Sequence, residues 1–312
     1  MNSFLSALRP YTTNKNTGNI YEIAVALDLL RKMGLTNDMI AENKSTVDAI
    51  VSMNSAKSDP IRDLFKEIQL KPVGSGLLFD GLQVSNIICA TQDDSVGTGD
   101  FQLVTSSGIK TLSVCEGKVK RNGKIEKCLT NASARRFGCT EEDIGEFKKI
   151  EAEAVVSYKS WMSHAYGADE SAWPARVRVP VANEACSRVA SAVAARFGGL
   201  DASKQEEICK DILRIDGMSK PADYLVLVDV QHKTKSLSYF SFGEDLNDLP
   251  LHLVANSIYL EFHRGETCVG KTQVKFNNGV YHKGKTSSLC SSWNAVFTLN
   301  ELFKMSAVRV DA

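Results

Sequence analysis

The sequence predicts an α/β protein: a central mixed β-sheet flanked by helices, followed by a β-rich C-terminal portion. Three stretches carry that prediction. Residues 17–34, TGNIYEIAVALDLLRKMG, place Ile20, Ile23, Ala24, Leu27 and Leu30 on one helical stripe. Residues 99–120, GDFQLVTSSGIKTLSVCEGKVK, read as two strands around a Ser-Ser-Gly turn. Residues 224–231, YLVLVDVQ, form the continuous apolar run of a strand buried on both faces. With 312 residues and 43% hydrophobic content the chain can bury a large core. It is read as one elaborated domain over 1–312, with a core at about 17–136, a helical middle at 140–213 and a β-rich part at 220–304.

The elements follow in order. Thr17 or Asn19 caps the first helix, Glu22 lies in its first turn on the edge of the apolar stripe, and Gly34 ends it. An acid there favours the positive end of the helix dipole. Helical stretches are expected over 41–56 and 61–70, then a connector to Gly76 and a strand within 77–90. Thr140 to His164 reads as a long helix with an acidic start, and 182–197 and 203–213 as two more. Between them, Val177 to Val181 reads as a short extended run. Ser236 to Phe242 pairs with the Tyr224 strand. From Leu249 onward the chain is β-leaning, with strands at 258–263 and 269–276 and a type I′ turn signal at Asn277-Asn278-Gly279.

The hairpin holds the residues with chemical promise. Asp100 stands at the mouth of its first strand, and Glu116 and Lys118 lie two apart on the second, so the pleat puts both on one face. A five-residue loop, Ser106 to Lys110, would place Asp100 opposite Glu116 on that same face. An even loop would separate them. Two carboxylates make a hard-oxygen site for Mg²⁺, which lowers the pKa of a bound water and neutralises charge on a phosphorane. A neighbouring lysine can hold the attacking hydroxide and steady developing charge.

Asp100, a gap of fifteen residues and then Glu116-Gly117-Lys118 resembles the PD-(D/E)xK nuclease superfamily, the fold of many restriction endonucleases. Gly99 stands where the family has Pro, and Cys115 precedes the glutamate. The resemblance spans roughly Thr17 to Arg136. It implies a restriction-endonuclease-like sheet and a Mg²⁺-dependent endonuclease that hydrolyses phosphodiester bonds of double-stranded DNA, in the manner of a type II restriction enzyme. Asp100 and Glu116 would bind the metal, Lys118 would position water, and Glu22 from the first helix would complete the shell. It also implies a homodimer, because a twofold protein reads a palindromic site. Lys220-Pro221-Ala222-Asp223 before the Tyr224 strand repeats part of the pattern, which makes Asp223 a second-choice metal ligand.

Net charge is zero, so any surface suited to nucleic acid must be local. Residues 110–136 carry eight Lys/Arg against two acids. Lys120, Arg121, Lys124, Arg135 and Arg136 are therefore candidates for DNA contact, as are Lys271, Lys275, Lys283 and Lys285 in a second basic cluster. The competing reading is a non-catalytic nucleic-acid-binding or viral structural protein, in which these charges are solvated surface. Gly279 to Thr286, GVYHKGKT, has the letters of a phosphate-binding loop, which needs a buried strand before it and a helix after it. His252, Asn256 and His263 have the letters, but not the order, of an HNH nuclease. The eight cysteines show no CxxC pair and no close Cys/His spacing, which argues against a zinc site and a disulfide framework. With no signal-like N-terminus and no run of eighteen apolar residues, the expectation is a soluble cytoplasmic protein with no membrane contact.

Overall fold

The structure, a computed structural model, describes residues 17–34, 77–89, 100–116, 123–174, 177, 179–213, 222–229, 236–242, 249–277, 279–282, 285–290 and 292–303. The protein is mixed α/β. The chain divides into two compact units, one of Met1–Ile125, Asp216–Asp245 and Leu299–Ala312, the other of Glu126–Ile215 and Leu246–Thr298. The helical middle thus folds with most of the C-terminal β portion, while the Tyr224 strand and its partner join the hairpin.

The first unit is built on helix α1 (Thr17–Lys32) and strands β1 (Leu77–Phe79), β2 (Leu82–Cys89), β3 (Phe101–Thr105) and β4 (Gly108–Glu116). After the second unit's first segment it adds β6 (Tyr224–Asp229) and β7 (Ser236–Ser241). Sheet order is β1-β2-β3-β4-β6-β7. Every neighbouring pair is antiparallel except β4 and β6, which run parallel with Leu112 beside Tyr224 and Glu116 beside Val228. Helix α1 packs on β4 and β6. Ile23, Ala24, Leu27 and Leu30 join Phe101, Leu103, Leu112, Val226 and Val228 in one core. The helix is buried nearly all round, because Val25, Ala26, Asp28 and Leu29 are buried as well.

A helix so enclosed must satisfy its own charges. Asp28 is 1% exposed; it accepts a 2.8 Å hydrogen bond from the Tyr239 hydroxyl and pairs with Lys32 at 3.0 Å. Burial, followed by the charge of Asp28, raises the Tyr239 phenol well above its ordinary pKa. Phe79 stands edge-on to Tyr224 and Tyr239, with ring centroids 4.8 and 5.4 Å away.

The second unit contains β5 (Glu126–Ala132), α2 (Glu141–Tyr166), α3 (Pro180–Gly198), α4 (Ala202–Leu213), β8 (His252–Asn256), β9 (Tyr259–Arg264), β10 (Thr267–Gln273), the short β11 (Tyr281–His282) and β12 (Lys285–Thr286), and β13 (Trp293–Thr298). Its sheet is antiparallel throughout, in the order β5-β13-β10-β9-β8. Helix α3 packs on β8 and β9, α2 on α3, and α4 on β5. Phe137, Phe262, Trp293 and Phe297 form the aromatic centre. Gly270 is required there: a Cβ at 270 would stand 2.2 Å from the Phe297 ring. A capping box opens α2, with the Asp143 amide donating to Thr140 Oγ1 and the Thr140 amide to Asp143 Oδ2.

Several expectations change. The strand expected within 77–90 is two strands, because Asp80 (φ 50°) and Gly81 (φ 74°) make a tight turn, a hairpin signal present in the sequence. The extended run before α3 is shorter than expected, since Pro180 occupies the first turn of the helix, where its missing N–H costs nothing. Strands β5 and β13 were not expected; β5 pairs with β13, which pairs with β10 on its other side. The helices expected over 41–56 and 61–70 lie outside the described residues. No helix among the described residues is long and apolar enough to cross a membrane. Cys128, Cys139, Cys186, Cys209 and Cys290 are free thiols.

Candidate functional site

The hairpin at the centre of the first unit differs from the expected one in its loop. Thr105 pairs with Gly108, leaving only Ser106 and Ser107 between the strands. Side-chain chemistry closes the turn: Thr105 Oγ1 donates to the Gly108 carbonyl at 2.7 Å and accepts from the Ser107 amide at 3.2 Å, while Gly108 takes φ 114°. The loop is even, so the condition for Asp100 to pair directly with Glu116 is not met. Leu112 lies opposite Phe101, which puts position 100 level with Ser113 and gives position 116 the opposite pleat parity.

Asp100 nevertheless does not follow the pleat. It stands one residue before β3, half-buried, with its amide donating to the Leu112 carbonyl at 2.7 Å. Its carboxylate accepts from the Val114 amide at 2.5 Å. The side chain therefore lies along the ladder, doing for β4 what a backbone carbonyl of a longer β3 would do. That bond brings Asp100 against β4 two residues before Glu116, the last residue of the strand. Beside Glu116 runs the parallel β6, whose last residue is Asp229. Asp100 thus sits where β3 begins, and positions 116 and 229 close β4 and β6 at the same end of the sheet; Asp229 lies one residue beyond the Val228 that pairs with Glu116, so the pleat gives those two positions opposite parity. The carboxyl ends of parallel strands are where open α/β sheets leave a crevice. Asp229 escaped the sequence reading; its signal was the acid that ends the apolar run of residues 224–228.

The other expected residues are distributed as follows. Lys118, Lys120 and Arg121 lie outside the described residues, as does Lys283. Glu22 is half-buried on α1, but the helix begins at Thr17, so it lies in the second turn, beyond the reach of a first-turn dipole effect. Asp223 sits at the other end of β6. Its Oδ2 accepts from the Thr111 amide at 2.9 Å and the Thr111 hydroxyl at 3.1 Å, and Lys110 pairs with it at 3.7 Å. Position 223 is level with Thr111, five residues from Glu116 along β4, or about 16 Å at ~3.3 Å per residue. It fastens the start of β6 to β4.

Lys124 pairs with Glu301 at 2.5 Å in the first unit. In the second unit Arg135 forks onto Glu141 at 2.8 and 2.9 Å, and Arg136 reaches Thr130, the Asn131 carbonyl and Asp211. Lys271 is exposed, with its ammonium 5.1 Å from the Tyr259 ring centroid; Lys275 is half-buried and Lys285 exposed. The phosphate-loop letters resolve differently from a nucleotide site. Tyr281–His282 and Lys285–Thr286 pair as a two-stranded ribbon, so Thr286 opens no helix. No family model, curated protein or solved structure matches this chain.

Proposed function

We propose that the protein is a Mg²⁺-dependent endonuclease acting on double-stranded DNA, with a restriction-endonuclease-like first unit and, by the same resemblance, a homodimeric assembly. One observation carries the reading: the Asp100 carboxylate is held on β4 at the Val114 amide, beside the strand end that bears Glu116. The donors fit the ion, because carboxylate oxygens are the ligands Mg²⁺ prefers. Asp100 and Glu116 would hold it, and it would supply an activated water and neutralise charge on the scissile phosphate. Lys118, two residues past Glu116, would orient that water. Glu22 and Asp229 are the acids available to complete the shell. The bond from Val114 fixes one carboxylate oxygen of Asp100, which removes rotamer freedom before metal arrives.

The test uses Asp100→Asn, which keeps an oxygen for the Val114 amide and removes the charge. Plasmid DNA is titrated with Mg²⁺ or Mn²⁺ and the products are separated on a gel. We expect cleavage by the parent chain and a loss of about 10³-fold in Asp100→Asn, the several kcal/mol a metal contributes to such a transition state, with the circular dichroism unchanged. Lys118→Ala loses activity with metal affinity retained. DNA binding without cleavage under any divalent ion would favour a non-catalytic nucleic-acid-binding module.

A further inference from the structure

On the less buried face of the second unit's sheet, one cross-strand row collects metal-binding side chains from three strands. His263 on β9 pairs directly with Cys268 on β10 and with His252 on β8. Glu261 lies two residues before His263, so both share a face, while Leu260 and Phe262 turn into the core. The β-bulge between Cys268 and Gly270 decides which residue meets the imidazole. In the register that pairs Gly270 with Phe262, an unbulged strand would put Val269 there. The bulge buries Val269 and leaves Cys268 beside His263.

The ligand atoms of Glu261, His263 and Cys268 all lie within 4.8 Å of one another. Glu261 Oε2 and His263 Nε2 are 3.3 Å apart. Two ligands ~2.0 Å from a tetrahedral ion stand about 3.3 Å from each other, and a thiolate at ~2.3 Å stands about 3.5 Å from either. The carboxylate and imidazole already have that separation, and the thiol, which donates to the Gly270 carbonyl at 3.4 Å, lies within 4.8 Å of both. His252 and Cys268 are exposed, so an ion has direct access.

We propose that Glu261, His263 and Cys268, with His252 as fourth ligand, bind one transition-metal ion of the Zn²⁺ class. One thiolate, two imidazoles and one carboxylate favour Zn²⁺ or Co²⁺ over Mg²⁺. The site therefore differs in chemistry from the hard-oxygen site proposed in the first unit, and stands without it. A bound ion clips β8, β9 and β10 together. Binding needs a thiolate and neutral imidazoles, so it releases protons. The expectation of no zinc site from cysteine spacing overlooked E-x-H-x4-C at residues 261–268, whose ends only the turn at Gly265 and the bulge bring together.

The metal-free full-length chain is titrated with Co²⁺ and then with Zn²⁺. We expect one equivalent of cobalt with tetrahedral d–d bands and a thiolate-to-cobalt charge-transfer band, displaced by zinc and untouched by excess Mg²⁺. Cys268→Ser removes the charge-transfer band, and Cys268→Ser and His263→Ala each weaken zinc binding by at least about 100-fold in chelator competition, beyond the ~10–100-fold typical of losing an outer partner. His252→Ala weakens it while keeping the charge-transfer band. Failure of the unaltered chain to show that band overturns the proposal whatever the variants do. So does a band that survives in Cys268→Ser, which would assign the ion to another cysteine.

Discussion

The two units treat charge in opposite ways. In the first, α1 is enclosed on nearly all sides, and Asp28 is satisfied internally by Tyr239 and Lys32. In the second, α2 and α3 are amphipathic: Ile144, Phe147, Ala154 and Tyr158 are buried along one stripe of α2, while its ion pairs, Glu146 with Lys149 and Glu153 with Arg188, lie on the exposed side. Their sheets differ likewise. The first unit's sheet contains one parallel pair, and Glu116 and Asp229 stand as the last residues of its two strands. The second is antiparallel throughout, and its metal-binding side chains meet in the middle of strands, across a row. Strand ends offer functional groups through chain direction; rows offer them through register.

Beyond the loss of cleavage in Asp100→Asn, the largest effect expected tests the second unit's packing. Gly270→Ala drives a methyl into the Phe297 ring, and should cost about 1–3 kcal/mol in urea unfolding. A neutral result would mean that β10 and β13 can separate to admit a methyl, and that this unit's core is looser than the first's.

The next test removes the first unit's internal polar contact. Tyr239→Phe deletes the hydroxyl on Asp28 and should cost about 1–3 kcal/mol near neutral pH. It also changes the alkaline limb. The folded phenol titrates well above its ordinary value, so its contribution is fully present below the unfolded pKa of about 10 and is lost as pH rises toward the folded value. The parent's stability should therefore fall above about pH 10, and the variant's should fall less steeply; equal slopes would leave the Tyr239–Asp28 contact without a role in that limb.

The smallest effect belongs to an exposed feature. Thr140→Ala removes one half of the capping box of α2 and should cost about 1 kcal/mol, measured by thermal unfolding. Asp143, held below the usual carboxylate pKa first by the Thr140 amide, retains that bond in the variant. An effect as large as that of Tyr239→Phe would erase the contrast between internally and externally satisfied charge.

How far local pattern reaches is clear from particular elements. The stripe of Ile23, Ala24, Leu27 and Leu30 specified α1, and the apolar run 224–228 specified a buried strand; both are periodicities that survive without neighbours. Strand β5, EKCLTNA, has no such periodicity and exists because β13 supplies its partner. The Ser-Ser-Gly turn was legible, but not its two-residue length, because Thr105 closes it by side-chain hydrogen bonds rather than through an Asn-Gly pair.

By itself the sequence determined the α/β class, the principal helices and the hairpin that carries Asp100 and Glu116, since these follow from spacing along one chain. Tertiary structure alone decided the two-residue turn, the parallel seating of β4 beside β6 with Val228 level with Glu116, and the meeting of Cys268 with His263. Each is a matter of register between strands, and register is settled by which pairing buries the core and satisfies the backbone, a property no single strand possesses.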